Sequence, residues 1–180
     1  MSWKSSLPAS AVLLSLAACA PTLGPPPPPP PGGGAPPSAG VFRPEDFSWS
    51  AVPGPGRIEG RFTYRSGQTR YSCAGAGVVL TPETPWSRRR MTILYKSAER
   101  SALPAEEVRA RTPSAPSGDY SAFVKRAVCD ENNRFSFSGL ANGAWYVITV
   151  GRPVAPGKGE DIAVMRRIEV RGGRPINVEL

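Results

Sequence analysis

The sequence predicts an all-β domain, a Greek-key β-sandwich of about seven to eight strands with room for one short helix in a long loop. Three observations lead there. From Val41 onward, short runs of β-forming residues recur, each closed by Gly, Pro or Asn/Asp turn signals. Phe135 and Phe137 alternate with Arg134 and Ser136, the pattern of a strand with one buried face. Ala144 to Val150 is nearly all apolar, as expected of a central strand.

In chain order, Ile58, Phe62 and Tyr64 mark a first strand, closed by Ser66-Gly67. Val78-Val79-Leu80 forms a second, stopped at Pro82, and Met91 to Tyr95 reads as a third. Ala122 to Cys129 reads as a fourth, followed by the polar turn Asp130-Glu131-Asn132-Asn133. The Phe-x-Phe strand and the Ala144–Val150 strand come next. Ile162 to Val170 and Pro175 to Leu180 close the domain, joined as a hairpin through Gly172-Gly173. Residues 97 to 120 interrupt the series as an exposed excursion, in which Pro104-Ala105-Glu106-Glu107-Val108 opens one short helix with acids in its first turn.

Two segments precede this domain. Residues 1 to 18 have a basic start at Lys4 and an apolar stretch from Leu7 to Ala18, the form of a secretory signal. A membrane-spanning helix needs roughly 20 apolar residues, more than this stretch holds. The leader ends in Leu16-Ala17-Ala18-Cys19, which resembles the bacterial lipobox. That resemblance implies cleavage before Cys19, lipid on its thiol and a third acyl chain on the new amino terminus. Each buried CH₂ contributes about 0.8 kcal/mol, so several chains hold a membrane far better than one. Ala20 rather than aspartate follows the cysteine, which resembles an outer-membrane sorting signal. Residues 19 to 40 form the tether, in which Pro25 to Pro31 predict a polyproline II rod of roughly 20 Å and Gly32-Gly33-Gly34 a swivel. The expected location is the outer membrane, with the domain of residues 41 to 180 facing the periplasm or the cell surface.

Charge and residue usage narrow the chemistry. The net charge is +8, and removing residues 1 to 18 takes away Lys4 and no acid, leaving 8 − 1 = +7. There is no histidine, which excludes Ser-His-Asp and Cys-His pairs and imidazole-ligated zinc. Three cysteines occur, and once Cys19 carries lipid, Cys73 and Cys129 remain as a natural disulfide pair in an oxidising compartment.

The stretch CDENNRFSFSGLANGAWYVITV, from Cys129 to Val150, together with YSCAGAGVVLTPETP upstream, resembles carboxypeptidase regulatory-like domains. These are transthyretin-like sandwiches related to collagen-adhesin B-type repeats. The resemblance covers roughly residues 57 to 150. It departs at the turn, where Asn133 stands in place of the usual glycine; asparagine tolerates the left-handed conformation. Gly139 and Gly143 bracket a loop that needs positive φ or close backbone approach. Tyr146 is expected as a tyrosine corner, its hydroxyl bonded to backbone across the end of the sandwich. These are roles in the fold, and no cofactor is implied.

The candidate sites each have a plainer reading. Asp130 to Asn133 offers oxygens to a calcium ion but lacks the spacing of a calcium loop, so a hairpin turn accounts for it better. Glu106 and Glu107 are adjacent on a helix, point about 100° apart, and do not form an acid/base pair. Lys96, Lys125 and Lys158 raise the isopeptide cross-link of some adhesin relatives, but none holds an evident first-strand position. Trp86 with Arg88, Arg89 and Arg90 can grip an anion or stack on a sugar ring, against the plainer reading of a solvated loop. An exported domain does not meet nucleic acid, which leaves anionic envelope polymers or another envelope protein as partners. The expectation is a non-enzymatic, lipid-tethered interaction or structural module without a metal. A glycan-binding module is the alternative and a hydrolase the distant one.

Overall fold

A computed structural model describes residues 40 to 155 and 157 to 180. The leader, Cys19 and nearly all of the tether lie outside the described residues. The architecture is a β-sandwich of two unequal sheets with a helical layer on the larger one.

The described residues form ten strands: β1 (Gly56–Arg61), β2 (Arg65–Ser66), β3 (Thr69–Ser72), β4 (Gly77–Pro82), β5 (Arg100–Pro104), β6 (Lys125–Val128), β7 (Arg134–Leu140), β8 (Gly143–Pro153), β9 (Ile162–Val170) and β10 (Pro175–Glu179). The α-helices are α1 (Pro85–Tyr95) and α2 (Ala105–Ala110), with 3-10 segments at Pro44–Ala51, Thr112–Ser114 and Ser121–Phe123. Among the described residues no helix is long and apolar enough to cross a membrane.

The smaller sheet has the order β10-β1-β7. The larger is built around β8, which pairs with β9 on one edge and β4 on the other; β6 extends beyond β4 and β5 beyond β9. Near its end β8 also pairs with β3, which carries β2. Alternation along β8 and β9 sorts side chains into two cores. Trp145, Val147, Ile162, Val164, Ile168 and Val170 face the smaller sheet and meet Ile58, Phe135, Phe137 and Val178. Tyr146, Ala163 and Met165 face the other way and are covered by Met91, Leu94 and Tyr95 of α1 and Ala105 of α2. This is why the β8 segment reads as continuously apolar: both its faces are buried.

Four expectations are corrected. Met91 to Tyr95 belongs to α1 rather than to a strand. Thr84 and Ser87 form a reciprocal capping box, Pro85 opens the first turn, and Met91, Leu94 and Tyr95 recur at helical spacing on the buried side. Residues 97 to 120 are not wholly an excursion, because β5 pairs with β9 along its length and α2 follows it. With Ala102 and Leu103 as its only apolar pair, β5 carried no alternation to reveal it. Gly172-Gly173 does not close a hairpin. Both edges of β9 are already occupied, by β8 and β5, so β10 crosses to the smaller sheet and pairs with β1 in parallel. With β2, β3 and β5 included, the strands number ten rather than seven to eight.

Candidate functional site

The turn leaving β4 organises the most polar cluster of the domain. Glu83 N–H donates to Ala144 O at 2.8 Å, pinning the turn to the start of β8. Ser87 Oγ, fully buried, accepts from Thr84 N at 2.8 Å and donates to Pro82 O at 2.8 Å, so the entry into α1 is rigid. The Glu83 carboxylate then meets four donor contacts. Oε1 accepts from Arg88 Nη1 at 2.6 Å and Tyr146 Oη at 2.9 Å; Oε2 accepts from Arg167 Nε at 2.8 Å and lies 2.6 Å from Nη2 in the same ion pair. Arg88 also reaches Glu99 Oε1 at 3.1 Å.

The electrostatics follow from that geometry. Burial pushes the Glu83 carboxyl up, but hydrogen bonds from Arg167, Arg88 and Tyr146 outweigh it and hold the group below its ordinary range. Glu83 in turn raises Arg88 and Arg167, the carboxylate bond being the largest cause for each. Burial, reinforced by the Glu83 charge, pushes the Tyr146 phenol well above its ordinary value. Glu83 is therefore a fixed ionised acceptor. The Tyr146 hydroxyl bonds this side chain and not backbone, which corrects its reading as a tyrosine corner. The face of β8 that carries Tyr146 lies under α1, so a carboxylate at the head of α1 reaches it first.

An open groove of about 750 Å³ lies against this cluster, lined by Glu83 and Thr84 before α1 and by Pro85, Arg88, Arg89, Thr92 and Ile93 along it. The arginine run divides as a helix dictates, about 100° per residue. Arg88 is tied to the carboxylates. Arg89 is exposed, borders the groove and forms no ion pair among the described residues. Arg90 turns to the other flank, where it lies 5.6 Å from the ring centroids of both Trp86 and Tyr120 and donates Nη1 to Pro116 O at 2.7 Å. Trp86 is fully buried among Phe42, Phe47 and Tyr120 and donates Nε1 to Ser117 O at 3.2 Å. It is a core residue and no platform for a sugar, because the segment at Phe42 and Phe47 closes over it. Nothing in residues 84 to 90 alone reveals that lid.

The remaining candidates have structural places. Gly139 and Gly143 adopt φ of 67° and 145°, and a Cβ on Gly143 would strike the Trp49 ring. Asp130 Oδ1 accepts from the backbone of Asn132 and Arg134 at 2.9 and 2.7 Å, the geometry of a turn. Asn133, at φ 60°, sends Oδ1 across to Ser72 Oγ at 2.7 Å and Cys73 N at 2.9 Å. Glu106 pairs with Arg109, and Glu107 with Lys96 and Arg111. Among the described residues no group of three or more acidic or cysteine side chains is placed to hold a metal ion. Cys73 and Cys129 form a buried disulfide with Cα atoms 5.7 Å apart.

These features define a β-sandwich with a helical layer and an open groove on that layer. Among solved structures the chain is similar to a Pseudomonas aeruginosa protein for which carbohydrate binding has been suggested. The TM-score is 0.57 and the identity 22%, covering 77% of this chain and 96% of that one, a likeness of fold. A minor pilin of Streptococcus agalactiae (TM-score 0.34, 14% identity, 69% of this chain and 42% of that one) is a distant similarity. So is a full-length pilus protein of Streptococcus pneumoniae (0.31, 15%, 64% and 25%). No protein-family model matches the chain, and no curated protein sequence matches it.

Proposed function

We propose that this chain is an exported, lipid-tethered and non-catalytic binding module of the cell envelope, and that its helical face takes a saccharide. The groove beside α1 carries the proposal. It joins an apolar strip, Pro85 and Ile93, to a fixed carboxylate and two guanidinium groups. A sugar ring offers the complement, an apolar face rimmed by hydroxyls that bond carboxylate and guanidinium in pairs. Glu83 suits binding rather than proton transfer, since both oxygens are engaged and the group is held ionised. The fold likeness to the Pseudomonas aeruginosa protein favours the same reading. Kinship with carboxypeptidase regulatory-like domains, drawn from the Cys129–Val150 motif, agrees with a module that binds and does not cleave.

Binding of the purified full chain to peptidoglycan fragments, lipopolysaccharide and neutral oligosaccharides tests the proposal. Arg89→Ala, and Thr92→Arg to fill the groove, should each weaken the bound saccharide at least about fivefold without loss of fold. Unchanged binding by both variants refutes the groove. The tether is tested separately: Cys19→Ser should leave an unprocessed precursor that takes up no labelled palmitate, and normal processing and labelling would refute lipidation.

A further inference from the structure

The strand pair β5–β9 shows a contrast between its two faces. On the face under the helices, Arg167 is neutralised by Glu83, and the neighbouring Glu99 is bound by Arg88. On the face toward the smaller sheet, Arg100 and Arg166 stand directly opposite each other in register. Both are exposed, and neither forms an ion pair among the described residues. Like charges placed directly opposite across strands repel and destabilise the pair. Here one guanidinium is also held in place, because Arg166 Nη1 donates to Glu179 O of β10 at 2.6 Å. The arginine on one face of these strands is thus paired with an acid, and the two on the other are not, among the described residues.

The two arginines open onto a cleft of about 390 Å³, formed where β5 and β9 extend past β10, the edge strand of the smaller sheet. Ala102, Val164 and Leu180 line it with apolar surface, and the last two are nearly buried. Glu179 borders it, yet its carboxylate pairs with neither guanidinium. We propose that this cleft is a second binding site, on the opposite side of the larger sheet from the α1 groove. It takes an acidic sugar unit, a carboxylate or phosphate group carried on a sugar ring. The oxyanion bridges Arg100 and Arg166 and relieves their repulsion, and the ring covers Ala102 and Val164. Guanidinium forks match either oxyanion in paired hydrogen bonds. The sugar part of the ligand rests on the saccharide reading above; the oxyanion part rests on the arginine pair alone.

The test uses the full chain with isotope-labelled amides and four probes: an oligogalacturonide, its methyl-esterified neutral form, a mannose phosphate and inorganic phosphate. The acidic probes should shift the amides of Ala102 and Val164, and bind several-fold more weakly when salt rises from about 0.05 to about 0.5 M. Arg100→Glu creates an opposite-charge cross-strand pair with Arg166, so it should keep or raise the melting temperature. It should also weaken the acidic probes at least about tenfold. The galacturonide and the sugar phosphate separate carboxylate from phosphate sources. Shifts by inorganic phosphate alone, or equal binding of the neutral ester, overturn the acidic-sugar site. So does Arg100→Glu binding as the unsubstituted protein does, or the absence of any shift at Ala102 and Val164. Arg89→Ala reports on the groove alone, so failure of either site is read independently of the other.

Discussion

Replacing Glu83 with glutamine keeps the shape of the side chain and removes the charge on which Arg88, Arg167 and Tyr146 converge. In the native cluster both oxygens face donors only. A glutamine amide must turn its NH₂ toward one of those pairs, either the two Arg167 contacts or those of Arg88 and Tyr146. Turned toward Arg167, the NH₂ loses both contacts; turned toward Arg88 and Tyr146, it loses the Arg88 contact, because the phenol can rotate and accept. A hydrogen bond to a charged group contributes about 1.5–3 kcal/mol when sheltered. Arg88, with 48% of its side chain exposed, contributes toward the weak end, whereas Arg167 is 26% exposed and Tyr146 is fully buried. The expected loss for Glu83→Gln is about 2–3 kcal/mol, a large share of a typical domain's stability of about 5–15 kcal/mol. The pH dependence has a definite sign. The folded carboxyl lies below its ordinary value of 4.5, so its contribution is complete above that pH and vanishes as pH falls through the folded value. Urea unfolding of both proteins should therefore show a gap at pH 7 that closes in acid, where Glu83 itself is neutral. A gap under about 0.5 kcal/mol at pH 7, or one that does not narrow as pH is lowered below 4.5, would refute the claim that this charge holds the cluster together.

Two further outcomes are expected. The Cys73–Cys129 bridge spans a sequence separation of 56, so its removal by paired alanine substitution should cost up to about 4 kcal/mol in denaturant unfolding. Alkylation of both cysteines in folded, non-reduced protein, read by mass spectrometry, would contradict the bond. Asn133→Gly relaxes a residue at φ 60°, yet it should destabilise by about 1 kcal/mol, because the Oδ1 bonds to Ser72 and Cys73 disappear. Stabilisation by that change would show that backbone strain outweighs the cross-link.

Much of the sandwich was legible because its strands have one decisive property, alternation or continuous burial. Phe135 and Phe137 of β7 and the apolar run of β8 announced themselves in this way, and Ile162–Val170 is observed with the bounds expected of it. What escaped the sequence depends on neighbours remote in the chain. Whether Gly172-Gly173 closes a hairpin depends on whether β9 has a free edge, and β5, about 65 residues earlier, has taken it. The strand character of β5 comes from that partner, since its own five residues carry almost no pattern. The α1 helix was readable in principle from Thr-Pro-x-Ser and the Met91, Leu94, Tyr95 spacing, but five apolar-rich residues taken in isolation do not separate strand from helix.

The candidate site divided along the same line. Residue types in the run Trp86 to Arg90 suggested a contact surface, and a single helix distributes them among a core, a carboxylate cluster, an open groove and a stacked flank. Sequence supplies the charges, but the rotation of α1 decides which are neutralised. The same argument gives Arg100 and Arg166 their weight. Arg167, beside Arg166 on β9, lies on the other face and pairs with Glu83, and Glu99, just before β5, pairs with Arg88. The unpaired face is the one beside the edge strand β10, open to solvent and floored by small apolar side chains. An arrangement that is unfavourable alone, tethered at Arg166 and placed in a cleft is favourable once an anion occupies it, and that reversal is what the proposed site adds to the fold.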